Sequence, residues 1–405
     1  MPHLTLLDPA GETSQVALRE ASGFTKPTAP LRSRVAYAAA HVVPKVAADN
    51  TPGRPAEIDW DATLAFRRAV YSWGLGVADA MDTAQRNMGL DAAAVRELIS
   101  RTAQTAREEG GSVVVGVNTD HLEDEHISLD QVIDAYRSQL AFTEEQCAGP
   151  VLMASRHLAR AASSAEDYRR VYREVLGSAQ GPVVLHWLGT AFDPTLAGYF
   201  GSRDWREASE VLLQIIGENA DKVAGVKMSL LDAASEVSVR ERLPEGVRMF
   251  TGDDFNYVGL IGGADVPDAR QPERDPSSPR QHSDALLGAF AAITPVASAA
   301  IQALDAGDSS RYLEILEPTE ELSRQVFAAP TFYYKTGVAF LSWLNGHQPA
   351  FQMVGGLHSA RSLPHLSRIV ELANASGALE RPELAAIRWH GMLRLNGLDV
   401  PGVIS

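Results

Sequence analysis

Eight times between residues 35 and 291 a short apolar run leads into a longer amphipathic stretch, and this alternation constrains the fold more than any other feature. The runs lie at 35–43, 75–80, 112–117, 150–154, 182–188, 223–230, 247–250 and 285–291. Runs of that length between turn signals read as buried parallel strands. The stretches between them carry helix-start residues, with Asp91, Ser128 and Ser164 each placed as an N-cap. Strands alternating with helices at this spacing give parallel β/α architecture, and eight units favour the closed (β/α)8 TIM barrel over an open sheet. No Gly-x-Gly-x-x-Gly follows the first run, which argues against a dinucleotide-binding fold.

The flanks differ from this middle. Residues 4–20 hold two short strand candidates around a Pro/Gly turn, an N-terminal β-hairpin laid on the main body. Beyond residue 293 the pattern is all helical, over 293–306, 309–328, 332–345, 363–376 and 382–395. The expected organisation is therefore hairpin and linker over 1–33, barrel over 34–307 and a C-terminal helical extension over 308–405. A polar insert, 268–284, interrupts the seventh unit as a long loop.

Composition narrows the partners. A net charge of −15 disfavours nucleic acid and anionic membrane surfaces. The single cysteine, Cys147, excludes an intrachain disulfide and any cysteine-based metal site. No signal peptide and no membrane-spanning apolar stretch is visible, so a cytoplasmic protein is expected.

In such a barrel the chemistry sits at the C-terminal ends of the strands. Reading off those positions gives His41, Asp79, Asp82 with Thr83, Asn118 with Asp120, Arg156 with His157, His186, Lys227 with Ser229, and Asp253 with Asp254. Lys227 stands out, because it lies inside the apolar run Val-Ala-Gly-Val-Lys-Met-Ser. A lysine there either snorkels to the rim, its more ordinary state, or keeps a desolvated amine able to attack a carbonyl. His41 and His157 are more often satisfied rim histidines, Asp91 is a helix cap, and Asp253-Asp254 after a glycine is a common turn signal. A divalent metal on Asp79, His186 and Asp254 is a lesser alternative, since no His-x-His or Glu-x-x-His spacing supports it.

The Lys227 run, with Pro-Val-Val-Leu-His-Trp before it and Thr251-Gly-Asp-Asp254 after it, resembles the dihydrodipicolinate synthase/N-acetylneuraminate lyase family. There a Gly-[Ile/Val]-Lys-x-[Ser/Ala] strand follows a Leu-Tyr-Asn strand and precedes a Ser/Thr-Gly-x-Asp turn. Phe327-Ala-Ala-Pro-Thr-Phe-Tyr-Tyr-Lys335 resembles the Pro-x-x-x-Lys segment of the family's helical tail. The resemblance spans about 34–380 and is strongest from 182 onward. It implies a Schiff-base lyase, aldolase or dehydratase with Lys227 as the imine-forming amine and no cofactor. It also implies a homo-oligomer, a dimer or tetramer, with tail residues Phe332 to Lys335 brought near the site or a subunit contact.

Departures from the family pattern bear on the substrate. The tyrosine that relays protons falls on His186, whose ordinary pKa near neutrality suits proton transfer. The Gly-Thr-Thr-Gly-Glu turn that cradles a 2-keto-acid carboxylate reads Met81-Asp-Thr-Ala-Gln85, with only Thr83 kept. The arginine expected shortly after His186 is missing, and an extra loop occupies about 190–205. The expectation is a keto-sugar or related carbonyl compound, with Lys227, His186 and Asp254 catalytic. Asp82, Thr83, Asn118, Arg156, Ser229 and Asp253 would bind it. A metal-assisted sugar isomerase or lyase and a non-catalytic binder on a degenerate barrel are the competing readings.

Overall fold

A computed structural model describes residues 2–266, 278, 281–398 and 400. The expected insert over 268–284 lies mostly outside the described residues. Ten strands are present: β1 (His3–Leu7), β2 (Thr13–Ala17), β3 (Ala36–Ala39), β4 (Gly76–Asp79), β5 (Val113–Val117), β6 (Gly149–Leu152), β7 (Val183–Leu188), β8 (Val223–Ser229), β9 (Arg248–Thr251) and β10 (Asp284–Leu287). β1 and β2 form the antiparallel hairpin, while β3 to β10 close in sequence order into a parallel barrel, β10 pairing back onto β3. The architecture is the (β/α)8 barrel that the alternation predicts. Among the described residues no helix is long and apolar enough to cross a membrane.

Alternation along each strand separates two cores. Val184, Phe250, Val114, Val151 and Leu286 point inward and fill the barrel axis. Val226, Met228, Leu185 and Met249 point outward against the surrounding helices. Because side chains alternate with period two, Lys227 shares the inward face with Gly225 and Ser229. His186, two residues beyond Val184, shares it from β7, and the two stand side by side in register. Gly225 is required here, since a Cβ would meet the Phe250 ring at 2.8 Å.

The apolar run expected over 285–291 divides into β10 and a short helix, Ala289–Ala292, bent at Gly288. The single helix expected over 309–328 is two, Ser309–Leu316 and Pro318–Val326, because Pro318 supplies no N–H to continue the first. Both belong to a tail whose core is continuous with β3 and β10 on one side and with hairpin residues Leu4 and Leu6 on the other. The hairpin lies on the tail helices: the Leu7 N–H donates to Ser367 Oγ at 2.7 Å and Trp389 Nε1 to the Thr5 carbonyl at 2.7 Å.

The ion pair between Arg67 and Asp79 is wholly inside. Arg67, on the helix Trp60–Ser72, grips Asp79 at the end of β4 through two bonds of 3.1 and 2.7 Å. The same guanidinium donates to the carbonyls of His41 and Thr63 at 2.9 Å. Both side chains are 0% exposed, so neither charge has water to fall back on. We expect Asp79→Ala or Arg67→Ala to lower the urea unfolding free energy by about 3 to 5 kcal/mol, the scale for orphaning a buried charge. The Arg67→Met/Asp79→Leu double change should cost less than the two single alanine changes together.

Candidate active site

The inward end of β8 carries the central group. Lys227 is 8% exposed, and burial holds its amine below the ordinary lysine value, while Asp254 and Asp82 pull the other way. Asp254 follows β9 on the neighbouring turn and is itself buried. Desolvation pushes its carboxyl up to about 7, against the Ala289 N–H at 2.9 Å and the Lys227 charge. An amine shifted down and a carboxyl shifted up, side by side, exchange a proton at less cost than an ordinary pair. Gly252, between β9 and Asp254, makes the room. A Cβ there would meet Ser229 Oγ at 2.2 Å, the Met228 carbonyl at 2.7 Å and Lys227 Cε at 2.8 Å.

His186 lies beside this amine, with Nε2 3.1 Å from Ser229 Oγ and Nδ1 buried without a hydrogen-bond partner among the described residues. Burial, then the Lys227 charge, push its pKa well below the usual histidine value. The near-neutral titration expected of His186 is therefore corrected: the ring is neutral in this setting, because solvent that would stabilise an imidazolium is excluded. A buried phenol lines the same mouth. Tyr334, the first residue of the helix Tyr334–Leu344, puts its hydroxyl 2.7 Å from Thr83 Oγ1. Burial, followed by Asp82, holds this phenol well above its ordinary pKa, so it carries its proton.

The other expected residues divide. Asp253 has both oxygens engaged in its own turn, by the N–H groups of Phe255 and Asn256 and by Asn256 Nδ2, so Asp254 is the one that addresses the lysine. Asn118 accepts from the Thr119 N–H at 2.7 Å and lines the barrel mouth. Arg156 also lines it, bound to Asp193 at 2.5 Å. Asp120 is held by Arg86 through two bonds of 2.7 Å. His157 Nδ1 is 2.8 Å from Thr119 Oγ1. His41 is bonded to Gln348 at 3.0 Å and driven down to about 3 by burial and Arg67, a structural histidine. Asp79 is tied to Arg67, which removes it from the imagined metal set with His186 and Asp254. Among the described residues no group of three His, Cys, Asp or Glu side chains converges.

The mouth is covered by two segments outside the barrel rhythm. Phe192, from the loop after β7, packs edge-on against Tyr334 with centroids 5.8 Å apart, and Tyr334 stacks on Phe327 at 4.4 Å. Beneath them the 80–90 turn is held in a costly backbone: Ala80, Gln85 and Asn87 all have positive φ, at 48°, 63° and 64°. Gln85 fixes it to the tail, accepting from the Val354 N–H at 3.1 Å and donating to the Val354 carbonyl at 2.7 Å. Two adjoining cavities of about 200 Å³ open here and share Asp82, Asn87, Arg156 and Asp193. Lys335 and Met88 complete one of them.

Sequence reading placed Tyr334 and Lys335 in the tail segment near the site but gave neither a role. The signal was present in Tyr-Lys-Thr-Gly-Val-Ala-Phe-Leu, a second lysine planted in an apolar stretch. Gly252 and Asp193 gave no signal of their own, since their importance is spatial.

Solved structures with this architecture include dihydrodipicolinate synthase from Aquifex aeolicus, 12% identical with a TM-score of 0.59, covering 91% of this chain and 100% of that one. A monomeric dihydrodipicolinate synthase variant matches at 14% identity and TM-score 0.60, over 87% of this chain and 100% of that one. The synthase from Bacteroides thetaiotaomicron matches at 14% and 0.58, over 82% and 98%. At these identities the likeness is one of fold: the barrel is of the dihydrodipicolinate synthase type. No curated protein matches by sequence. The model of one family, described as "Protein of unknown function (DUF993)", matches residues 4–398, and the chain belongs to that family.

Proposed function

We propose that this protein is a Schiff-base lyase, an aldolase or dehydratase that acts on a carbonyl compound through Lys227. The observation that carries the reading is the buried amine at the C-terminal end of β8, below its ordinary pKa and flanked by Asp254, in space that Gly252 leaves open. A neutral lysine attacks a carbonyl carbon, the C–N bond forms and the carbonyl oxygen departs as water. The resulting iminium takes up the electron pair of the adjacent Cα–Cβ bond as the β-hydroxyl loses its proton and leaves as a carbonyl; in a dehydration it takes up the pair of an α C–H bond instead, and the enamine then expels a β-hydroxyl as water. Asp254, poised near 7, takes and returns the proton of the amine and of the departing water. The Tyr334–Thr83 pair supplies a second proton path, replacing the one first sought in His186.

The substrate we assign has no carboxylate next to its carbonyl. Met81-Asp-Thr-Ala-Gln85 stands where a carboxylate cradle would need backbone donors, and Asp82 would repel an adjacent anion. Hydroxyl groups suit Asp82 and Asn118, which accept hydrogen bonds. A homo-oligomer belongs to this reading as an expectation; one matched structure is of a monomeric variant, so the fold does not demand assembly.

Three results are expected. Borohydride added with a ketose should add the reduced-imine mass to Lys227, with pyruvate labelling at least about thirtyfold less, the lower end of the loss for an unpaired buried charge. Efficient labelling by pyruvate would overturn the substrate class. Labelling by neither, with a fully active Lys227→Ala protein, would overturn the Schiff base. In Asp254→Asn the carboxylate that favours the ammonium is gone, so the amine pKa falls further. The pH midpoint of trapping should therefore move to lower pH, and an unmoved or higher midpoint counts against the pairing. Gly252→Ala should fold with a loss of about 1 to 3 kcal/mol from overpacking. It should also lose trapping, because its Cβ takes the place of Lys227 Cε.

A further inference from the structure

Several charges around the mouth are paired. Arg86 holds Asp120, and Arg156 holds Asp193. Lys227 faces Asp254. Lys335 and Asp82 sense each other's charge, yet among the described residues no ion pair joins them, and both line the same cavity of about 200 Å³.

Lys335 is the more telling of the two. Its side chain is 2% exposed, so its ammonium has given up water. Its hydrogen-bond acceptor is the thioether of Met88, with Nζ 3.0 Å from Sδ, and the Tyr334 ring centroid is 5.2 Å away. Sulfur is a weak acceptor, and an aromatic face offers an ammonium far less than an oxygen does. A cation placed almost dry, against soft partners, on the wall of a cavity is a half-made contact. The matching half is an oxygen anion. Lys335 lies in the first turn of the helix Tyr334–Leu344, whose dipole adds positive potential at that end. Burial lowers its amine to about 8, a desolvation that an incoming anion would offset.

We infer that Lys335 is a specificity-determining residue that binds a carboxylate or phosphate group carried on the substrate at a distance from its reacting carbonyl. This rests on the carbonyl chemistry assigned to Lys227 for what the anion is attached to, though the anion site itself stands on its own geometry. It also accounts for two departures from a 2-keto-acid site together. The position next to the carbonyl is made hostile to a carboxylate by Asp82, and a cation is supplied from the tail.

The test uses inorganic phosphate and succinate as probes, measured by calorimetry against wild-type, Lys335→Met and Lys227→Met proteins at constant ionic strength. The neutral polyol erythritol is the control. Wild type should bind at least one anion, and Lys335→Met should weaken that binding by about tenfold or more, the loss of a hydrogen bond to a charged group. Lys227→Met should keep it within about threefold, against that same tenfold scale. Anion binding that survives in Lys335→Met, absence of binding to wild type, or tighter binding of erythritol each overturns the inference. If Lys335→Met does not fold, a wild-type crystal soaked in the tighter anion decides. Density within hydrogen-bond distance of Lys335 Nζ supports the site, and density elsewhere or none overturns it. Failure of borohydride trapping would remove the Schiff-base reading while leaving the calorimetric result intact, so the two can fail separately.

Discussion

The interior of a parallel barrel is dry, and every charge at its C-terminal rim has to find a partner there or shift its pKa. That constraint organises this molecule. Arg67 reaches in from the first barrel helix to hold Asp79, and in doing so ties the end of β4 to the carbonyls before and beside it. Arg86 does the same for Asp120, and also donates to the Gly116 carbonyl at 2.5 Å. These two arginines are wholly buried and serve the frame. Only after they have neutralised Asp79 and Asp120 do the unmatched groups become visible, and those are the ones with chemistry to offer.

The 80–90 turn shows what the frame is for. Three non-glycine residues with positive φ in one short turn would not persist in isolation, since each costs of order 1 kcal/mol or more. The tail helps to hold the turn, through Gln85 to Val354 and Thr83 to Tyr334, while Arg86 and Asp79 hold its first residue, Ala80. The same turn then presents Asp82 and Met88 to the cavity. Strain near the site and the tail's attachment are thus one arrangement. A barrel without this tail would lose the Val354 and Tyr334 fastenings of the turn, and Lys335 with them.

Much of the frame was legible because it follows from local periodicity. All eight barrel strands fall where apolar runs predict them, and the caps at Asp91, Ser128 and Ser164 each accept the predicted N–H. Lys227 could be singled out because a lysine in a buried strand breaks the local pattern. What the sequence could not reveal was relation across space. Nothing near residue 79 announces that Arg67 will claim its carboxylate, and nothing near 186 announces how dry that position is. His186 was misread for that reason: its residue type suggests titration near neutrality, while its surroundings forbid it. The break at Pro318 was readable in principle, since proline cannot continue a helix, but an unbroken apolar rhythm on either side concealed it.

The two buried lysines divide the work implied by the site. Lys227 sits on a barrel strand, where the sheet fixes its backbone and Asp254 and Gly252 set its protonation and room. Lys335 sits on a tail helix that is itself largely buried and packs into the same core as β3 and β10. On the proposed reading, chemistry belongs to the strand and recognition to the tail. The inserted loop follows the same logic: Asp193 and Phe192 bind Arg156 and Tyr334, joining barrel and tail over the cavity. The loop and the tail thus meet over the cavity, above the barrel residues Lys227 and Asp254.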